Sequence, residues 1–202
     1  MIDIQRNDDV LTLTINRPDK ANSLTAAMLG QLADAVADFD GKVLILTGAG
    51  KVFSAGADLD AAKAGLAVDP VWERLSQAIA TFDGVSIAAL NGTMAGGACG
   101  LALACDLRLA VPHTKVFYPV MRLGFLPQPS DPSRLVKLVG PSRAKLILMA
   151  GQKITAEEAL GWGLVDRIVA PEDVLGAAHE LAADCLAADA SHISGIKDLI
   201  DG

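Results

Sequence analysis

The chain has 202 residues, 51% of them hydrophobic and 20% charged, which is enough apolar material for a buried core and argues against disorder. A formal charge of -7 and a pI near 4.8 leave nothing to gain from counterion release, so nucleic acid and anionic membrane surfaces are poor partners. The opening MIDIQRNDDV lacks a secretory signal, no apolar stretch approaches the roughly 20 residues of a membrane span, and Cys99, Cys105 and Cys185 lack metal-ligand spacing. The expectation is a cytoplasmic protein without a membrane segment or a metal.

The first clear element is VLTLTINRP, whose alternating Leu11, Leu13 and Ile15 predict a half-buried strand ended by Pro18. Leu24, Met28, Leu32 and Val36 then fall at helical spacing, and this helix closes near Asp40-Gly41. KVLILTG is a continuous apolar run, as in a strand buried on both faces. Asp69 and Pro70 open a second helix with Trp72, Leu75, Ile79 and Phe82 inward. VSIAAL is another buried strand, stopped by Asn91-Gly92, and the chain passes through a glycine turn into a small-residue helix and the strand DLRLA. Pro127, Pro129 and Pro132 predict a loop rather than a helix, and PSRAKLILMAG a helix between Pro141 and Gly151. Thr155 with Glu158 has the pattern of a capping box, LVDRIV reads as a strand, and Pro171 to about Ala188 as one long amphipathic helix. Strands alternating with helices make the class α/β with largely parallel pairing, in one domain over residues 1–202.

Two strand ends run into small residues, at TGAGKVFSAGADL and NGTMAGGACG. A Walker loop fails at the first, because Ile45 stands where its leading Gly belongs and Val52 follows Lys51. A dinucleotide fingerprint fits poorly, because after Gly48 and Gly50 the next Gly is Gly56. Either loop alone reads as an ordinary tight turn. Together they can aim two peptide N–H groups at one point, as an oxyanion hole does.

INRPDKANSL, LTGAGKVFSAGADL, NGTMAGGACGLALACD and ITAEEALGWGLVDRI, in that order, resemble the signatures of the crotonase (enoyl-CoA hydratase/isomerase) superfamily over roughly residues 1–190. The resemblance implies a ClpP/crotonase-like fold, a spiral of ββα units, assembled as a homotrimer or as a hexamer made of two trimers, here with a shortened C-terminal helical region. It implies an acyl-CoA thioester as substrate, and no cofactor beyond the CoA of that substrate. By this resemblance the N–H groups of Ala57 and Gly97 form the oxyanion hole. Ala55, Ala57 and Leu59 would flank the CoA, and Lys20, Ala21 and Asn22 would line its entry.

The resemblance breaks at two positions. Where family hydratases carry two glutamates this chain has Gly100 and Val120, and neither can exchange a proton. An inefficient hydratase of crotonyl-CoA is therefore expected. Among substitutes, Asp131 lies in the altered loop PQPSDPS, where Asp commonly forms turns. Tyr118 offers a phenol, although alternation along its strand argues against its facing the pocket. Cys99 reads as a small filler, His113 as a solvated loop residue, the distant His179 and His192 as offering no metal site, Asp58 as loop support, and Trp72 and Trp162 as packing. The leading expectation is an enzyme of the enoyl-CoA hydratase/isomerase family whose reaction is unassigned. The alternative is a catalytically silent acyl-CoA-binding or scaffold protein.

Overall fold

In the computed structural model, which describes residues 1–201, β1 (Ile2–Asn7) pairs antiparallel with β2 (Val10–Ile15). Between them Asp8 takes a left-handed φ of 48°, which a short polar side chain tolerates. Leu11, Leu13 and Ile15 are fully buried, in line with their alternation. α1 (Ala26–Ala37) starts one residue after Thr25, whose hydroxyl accepts from the Met28 N–H at 3.3 Å. Leu24, expected as the first inward residue of this helix, lies before the cap and bridges to Ala57 instead.

One unit of structure then recurs. β3 (Val43–Gly48) turns into β4 (Val52–Ser54) and is followed by α2 (Leu59–Lys63) and α3 (Val71–Ala80). β5 (Val85–Leu90) turns into β6 (Thr93–Ala95), followed by α4 (Ala98–Ala104). β7 (Leu107–Ala110) leads to β8 (Lys115–Phe117), followed by α5 (Val120–Leu123) and α6 (Asp131–Leu148). The first strand of each unit enters a six-stranded sheet and the second a four-stranded one. The chain closes with β9 (Ile154–Thr155), α7 (Ala156–Trp162), β10 (Arg167–Ile168), α8 (Val174–Leu181), α9 (Ala183–Ala187) and α10 (Ala190–Asp201). The larger sheet runs β1-β2-β3-β5-β7-β10 and is parallel from β2 onward. The smaller runs β4-β6-β8-β9, with only β9 antiparallel to its neighbour.

The apolar runs follow from two-sided burial. Leu44, Leu46, Ala88 and Leu90 face the core shared with α1, α3 and α4. Val43, Ile45, Ile87 and Ala89 face the other side, where α8 covers them with Val174 and Ala178. Asp69 accepts from the Val71 N–H at 2.8 Å at the start of α3, and the Thr155–Glu158 capping box opens α7.

Other expectations need correction. Pro132 is not in a loop but in the first turn of α6, where its missing N–H costs no helical bond. α6 spans both the expected loop end and the expected helix, and is broken at Gly140 (φ 78°, ψ 165°), immediately before Pro141. The long helix expected to end near Ala188 is two, α8 and α9, because the chain turns at Ala182. Among the described residues no helix is long and apolar enough to cross a membrane.

Candidate active site

Two glycine turns meet at the ends of β4 and β6. The first passes through Gly56 at φ 88°, and a Cβ there would lie 2.6 Å from the Ala95 carbonyl oxygen. Only glycine allows this turn to lie against the end of β6. The second passes through Gly96 at φ 56° into α4.

The donors around these turns are mostly engaged. The Gly56 N–H donates to Ser54 Oγ at 3.1 Å, Asp58 to Leu24 O at 2.8 Å, and Gly96 to Phe117 O at 3.1 Å. Among the described residues, the N–H groups of Ala57 and Gly97 have no protein acceptor. Both residues line one pocket of about 220 Å³, whose walls include Trp72, Tyr118, Val120 and Phe125. Leu59 and Leu126 also line it and are 78% and 85% exposed, so the pocket has an apolar mouth. Two unpaired N–H donors on one apolar cavity can stabilise negative charge developing on a carbonyl oxygen.

The rest of the first loop is support. Asp58 pairs with Arg17 at 2.8 Å and accepts from the N–H groups of Asp60 and Ala61, capping α2. The hydrogen bond from Arg17 holds its carboxyl below the usual range. Asn22 is fully buried, and its amide donates to the Ala49 and Val52 carbonyls at 2.9 and 2.6 Å. Its side chain is thus committed to the β3–β4 turn rather than to an entry channel, which corrects that expectation. Ala21 and Asn22 both adopt left-handed φ, 49° and 56°, a conformation uncommon outside glycine. The Ala21 carbonyl accepts from Ala55 N at 3.0 Å, so exposed Ala21 and Lys20 sit beside the turn that carries Ala55, Ala57 and Leu59.

The acid–base candidates are distributed differently from their sequence reading. Tyr118 does face the pocket, because β8 ends at Phe117 and alternation no longer applies beyond it. Asp131 is not a solvated turn former. It is 1% exposed at the start of α6, and its Oδ2 accepts from the Tyr118 hydroxyl at 2.8 Å. Its other oxygen, Oδ1, is buried with no hydrogen-bond partner. Burial pushes the Asp131 carboxyl up to about 6, and burial together with the Asp131 charge pushes the Tyr118 phenol up as well. The phenol therefore stays protonated near neutrality.

Gly100, on α4, faces this carboxylate: a Cβ on Gly100 would lie 2.5 Å from Asp131 Oδ1 and 2.7 Å from Oδ2. Cys99 is buried, and its thiol is pushed up by burial and then by the Asp131 charge, which leaves it inert. His113, His179 and His192 are exposed, and among the described residues no cluster of His, Cys, Asp or Glu could hold a metal. Trp162 lies under Arg143, 5.3 Å from ring centroid to guanidinium.

Sequence reasoning missed two contributors. Trp72 is core, but its indole also walls the pocket, 3.0 Å from where a Cβ on Gly97 would stand. Gln128 lines the pocket beside Tyr118, its N–H reaching the phenol oxygen at 3.4 Å. The signal for the apolar mouth was the run LGFLP, which has no helical or strand period to consume its large side chains.

The recurring strand–strand–helix unit and the paired turns define a fold with two free backbone donors on one pocket, and comparison with known proteins gives it a family. The model of the enoyl-CoA hydratase/isomerase family matches residues 5–201. A carnitinyl-CoA dehydratase of Salmonella arizonae is 37% identical over 97% of this chain and 78% of its own. Among solved structures, an enoyl-CoA hydratase from Bacillus anthracis superposes with a TM-score of 0.90 at 30% identity, covering 100% of this chain and 82% of that one. Pseudomonas aeruginosa DspI superposes with a TM-score of 0.88 at 35% identity, covering 100% and 86%. The chain belongs to the enoyl-CoA hydratase/isomerase family, within the crotonase superfamily, and has its fold.

Proposed function

We propose that this protein is an enzyme acting on an acyl-CoA thioester, whose carbonyl oxygen sits between the N–H groups of Ala57 and Gly97 as enolate-like charge develops on it. The observation that carries the reading is the pair of unengaged donors opening on a single apolar pocket. Ala55, Ala57 and Leu59 would flank the CoA, with Lys20 and Ala21 at its approach. No cofactor beyond CoA is needed, since the two donors supply the electrophilic assistance. Tyr118 and Asp131 are the groups able to exchange protons, because Gly100 and Val120 have none to exchange. Such a site would be a poor hydratase of crotonyl-CoA.

The test is spectroscopic. A chromophoric acyl-CoA should shift its absorbance to the red on binding, and Ala57→Pro, which deletes one donor, should abolish the shift. One oxyanion donor contributes about 3 kcal/mol in favourable cases. Bound ligand with an unshifted spectrum would refute the site, and crotonyl-CoA hydration as fast as in dedicated hydratases would refute the reading of Gly100 and Val120.

We extend the reading to a symmetric homotrimer or hexamer in the cytoplasm, supported by the family and by exposed Leu146, Met149 and Leu160. Light scattering should give a multiple of the 20.9 kDa chain, and a stable monomer would overturn it.

A further inference from the structure

We propose that Tyr118 and Asp131 work as one proton relay, Tyr118 meeting the substrate and Asp131 standing behind it in the space that a side chain at residue 100 would otherwise fill. The inference rests on the functional reading above and deepens it.

Four observations lead to the pair. Tyr118 lines the pocket that holds Ala57 and Gly97, whereas Asp131 does not. The phenol donates to Asp131 Oδ2 at 2.8 Å, so the two groups are already joined by the bond along which a proton would pass. Asp131 Oδ1 is buried and unpartnered, an expensive condition for a purely structural carboxylate. And a Cβ on Gly100 would stand 2.5 and 2.7 Å from the two Asp131 oxygens, so no larger residue fits there with the carboxylate in place. The carboxylate is therefore delivered from α6 to the flank of α4, one hydroxyl away from the pocket.

The chemistry balances without a further reagent. The C2–H bond of the bound acyl group breaks, and its proton goes to the Tyr118 oxygen. The phenol proton moves at the same time to Asp131 Oδ2, and the C–H electron pair shifts onto the thioester oxygen held by Ala57 and Gly97. Return of the proton by the same path regenerates both groups. An independent phenolate is not needed, which matters because the phenol is pushed up. Asp131, pushed up by burial to about 6, is a carboxylate at pH 7 that takes a proton more readily than a solvated one. The groups facing it are Tyr118, Cys99 on α4, Glu73 on α3 and Arg134 on α6 itself, and of these Arg134 favours its charge while Glu73 opposes it.

The experiment is exchange of C2 hydrogens in D₂O. Purified protein is incubated with butanoyl-CoA, and deuterium at C2 is followed by NMR across pH 5–8, with the red shift of a chromophoric acyl-CoA measured on the same preparations. Wild type should exchange, with a rate that rises through an apparent pKa near 6. Tyr118→Phe should lower the rate about 10²–10⁴-fold with the red shift retained. Asp131→Asn should lower it similarly and also remove the pH-dependent limb, a change that loss of packing alone would not produce. Gly100→Ala displaces the carboxylate while leaving both Tyr118 and Asp131 in the sequence, and should lose the limb in the same way. A wild type that polarises the ligand but exchanges nothing would overturn the relay and leave the oxyanion site standing. An Asp131→Asn variant with the wild-type pH profile would overturn it too. Absence of the red shift in wild type would overturn the underlying functional reading as well.

Discussion

Among the described residues two charged side chains are buried almost completely, and they are treated in opposite ways. Arg108 on β7 is 4% exposed, and its guanidinium donates to the carbonyls of Leu164, Cys105 and Asp106 at 3.0, 2.7 and 3.3 Å and reaches Asp166 at 3.5 Å. Asp131 is 1% exposed and has one hydroxyl partner and one bare oxygen. The Arg108 node ties the chain after α7 back to the strand that β10 joins. Each of its three nitrogens donates to a protein oxygen. Asp131 retains what Arg108 has given up. A buried charge with every partner supplied holds a fold together, and one left half-partnered at a pocket is available for chemistry.

The comparison breaks most directly at Arg108. Arg108→Met should destabilise the protein by about 3–5 kcal/mol, because three carbonyls lose their donor inside the fold. Urea denaturation measures this, and a loss under 1 kcal/mol would mean that the node is ornamental. The variant should still red-shift a chromophoric acyl-CoA under conditions where it is folded.

Asp131→Asn should go the other way. The folded-state carboxyl lies near 6 against 3.8 in an unfolded chain, so the native state holds the proton longer. Stability from this group is complete below about pH 3.8 and declines as pH rises through about 6. The ionised form then costs up to about 3 kcal/mol, at 1.36 kcal/mol for each unit. Asparagine has no such charge, so at pH 7.5 the variant should be the more stable protein by up to that amount. The difference should vanish near pH 4. Thermal unfolding across pH 4–8 decides it, and equal pH profiles for the two proteins would show that Asp131 is not the strained group described here. A gain in stability with a loss of exchange would be the expected exchange of one property for the other at an active site.

Much of this was legible in the letters. Alternation located β2, continuous apolar runs located β3 and β5, and Thr155 with Glu158 announced α7 at the right residues. The loops bearing Ala57 and Gly97 were visible because close backbone approach leaves a signature of small residues. β4 and β6 were not, since three residues are too few to show a period and their sequences run into the glycine turns. The break at Gly140 was hidden by Pro141, which opens the second half of α6 as convincingly as it would open a separate helix.

The acid–base pair was out of reach for a different reason. Asp131 sits among Pro127, Pro129, Ser130 and Pro132, a setting in which Asp ordinarily turns the chain toward water. Its burial comes from α4 and Tyr118, which are distant in sequence, and no local pattern encodes that. Gly100 was read from the sequence as a missing acid. The structure shows that there is no room for an acid there: the space belongs to another carboxylate.

That close approach also restricts how such a site can change by single substitutions. Any side chain at residue 100 and a buried carboxylate at residue 131 compete for one volume, so the two cannot be present together in this backbone. A lineage moving between an acid on α4 and an acid on α6 has to pass through an intermediate with glycine at the first position and no buried acid at the second. The proposed proton transfer is lost in that intermediate, while the N–H groups of Ala57 and Gly97, being backbone, survive every side-chain change short of proline. On the function proposed above, the fold can therefore cross the gap still holding a thioester, with its original reaction gone and a new one not yet acquired.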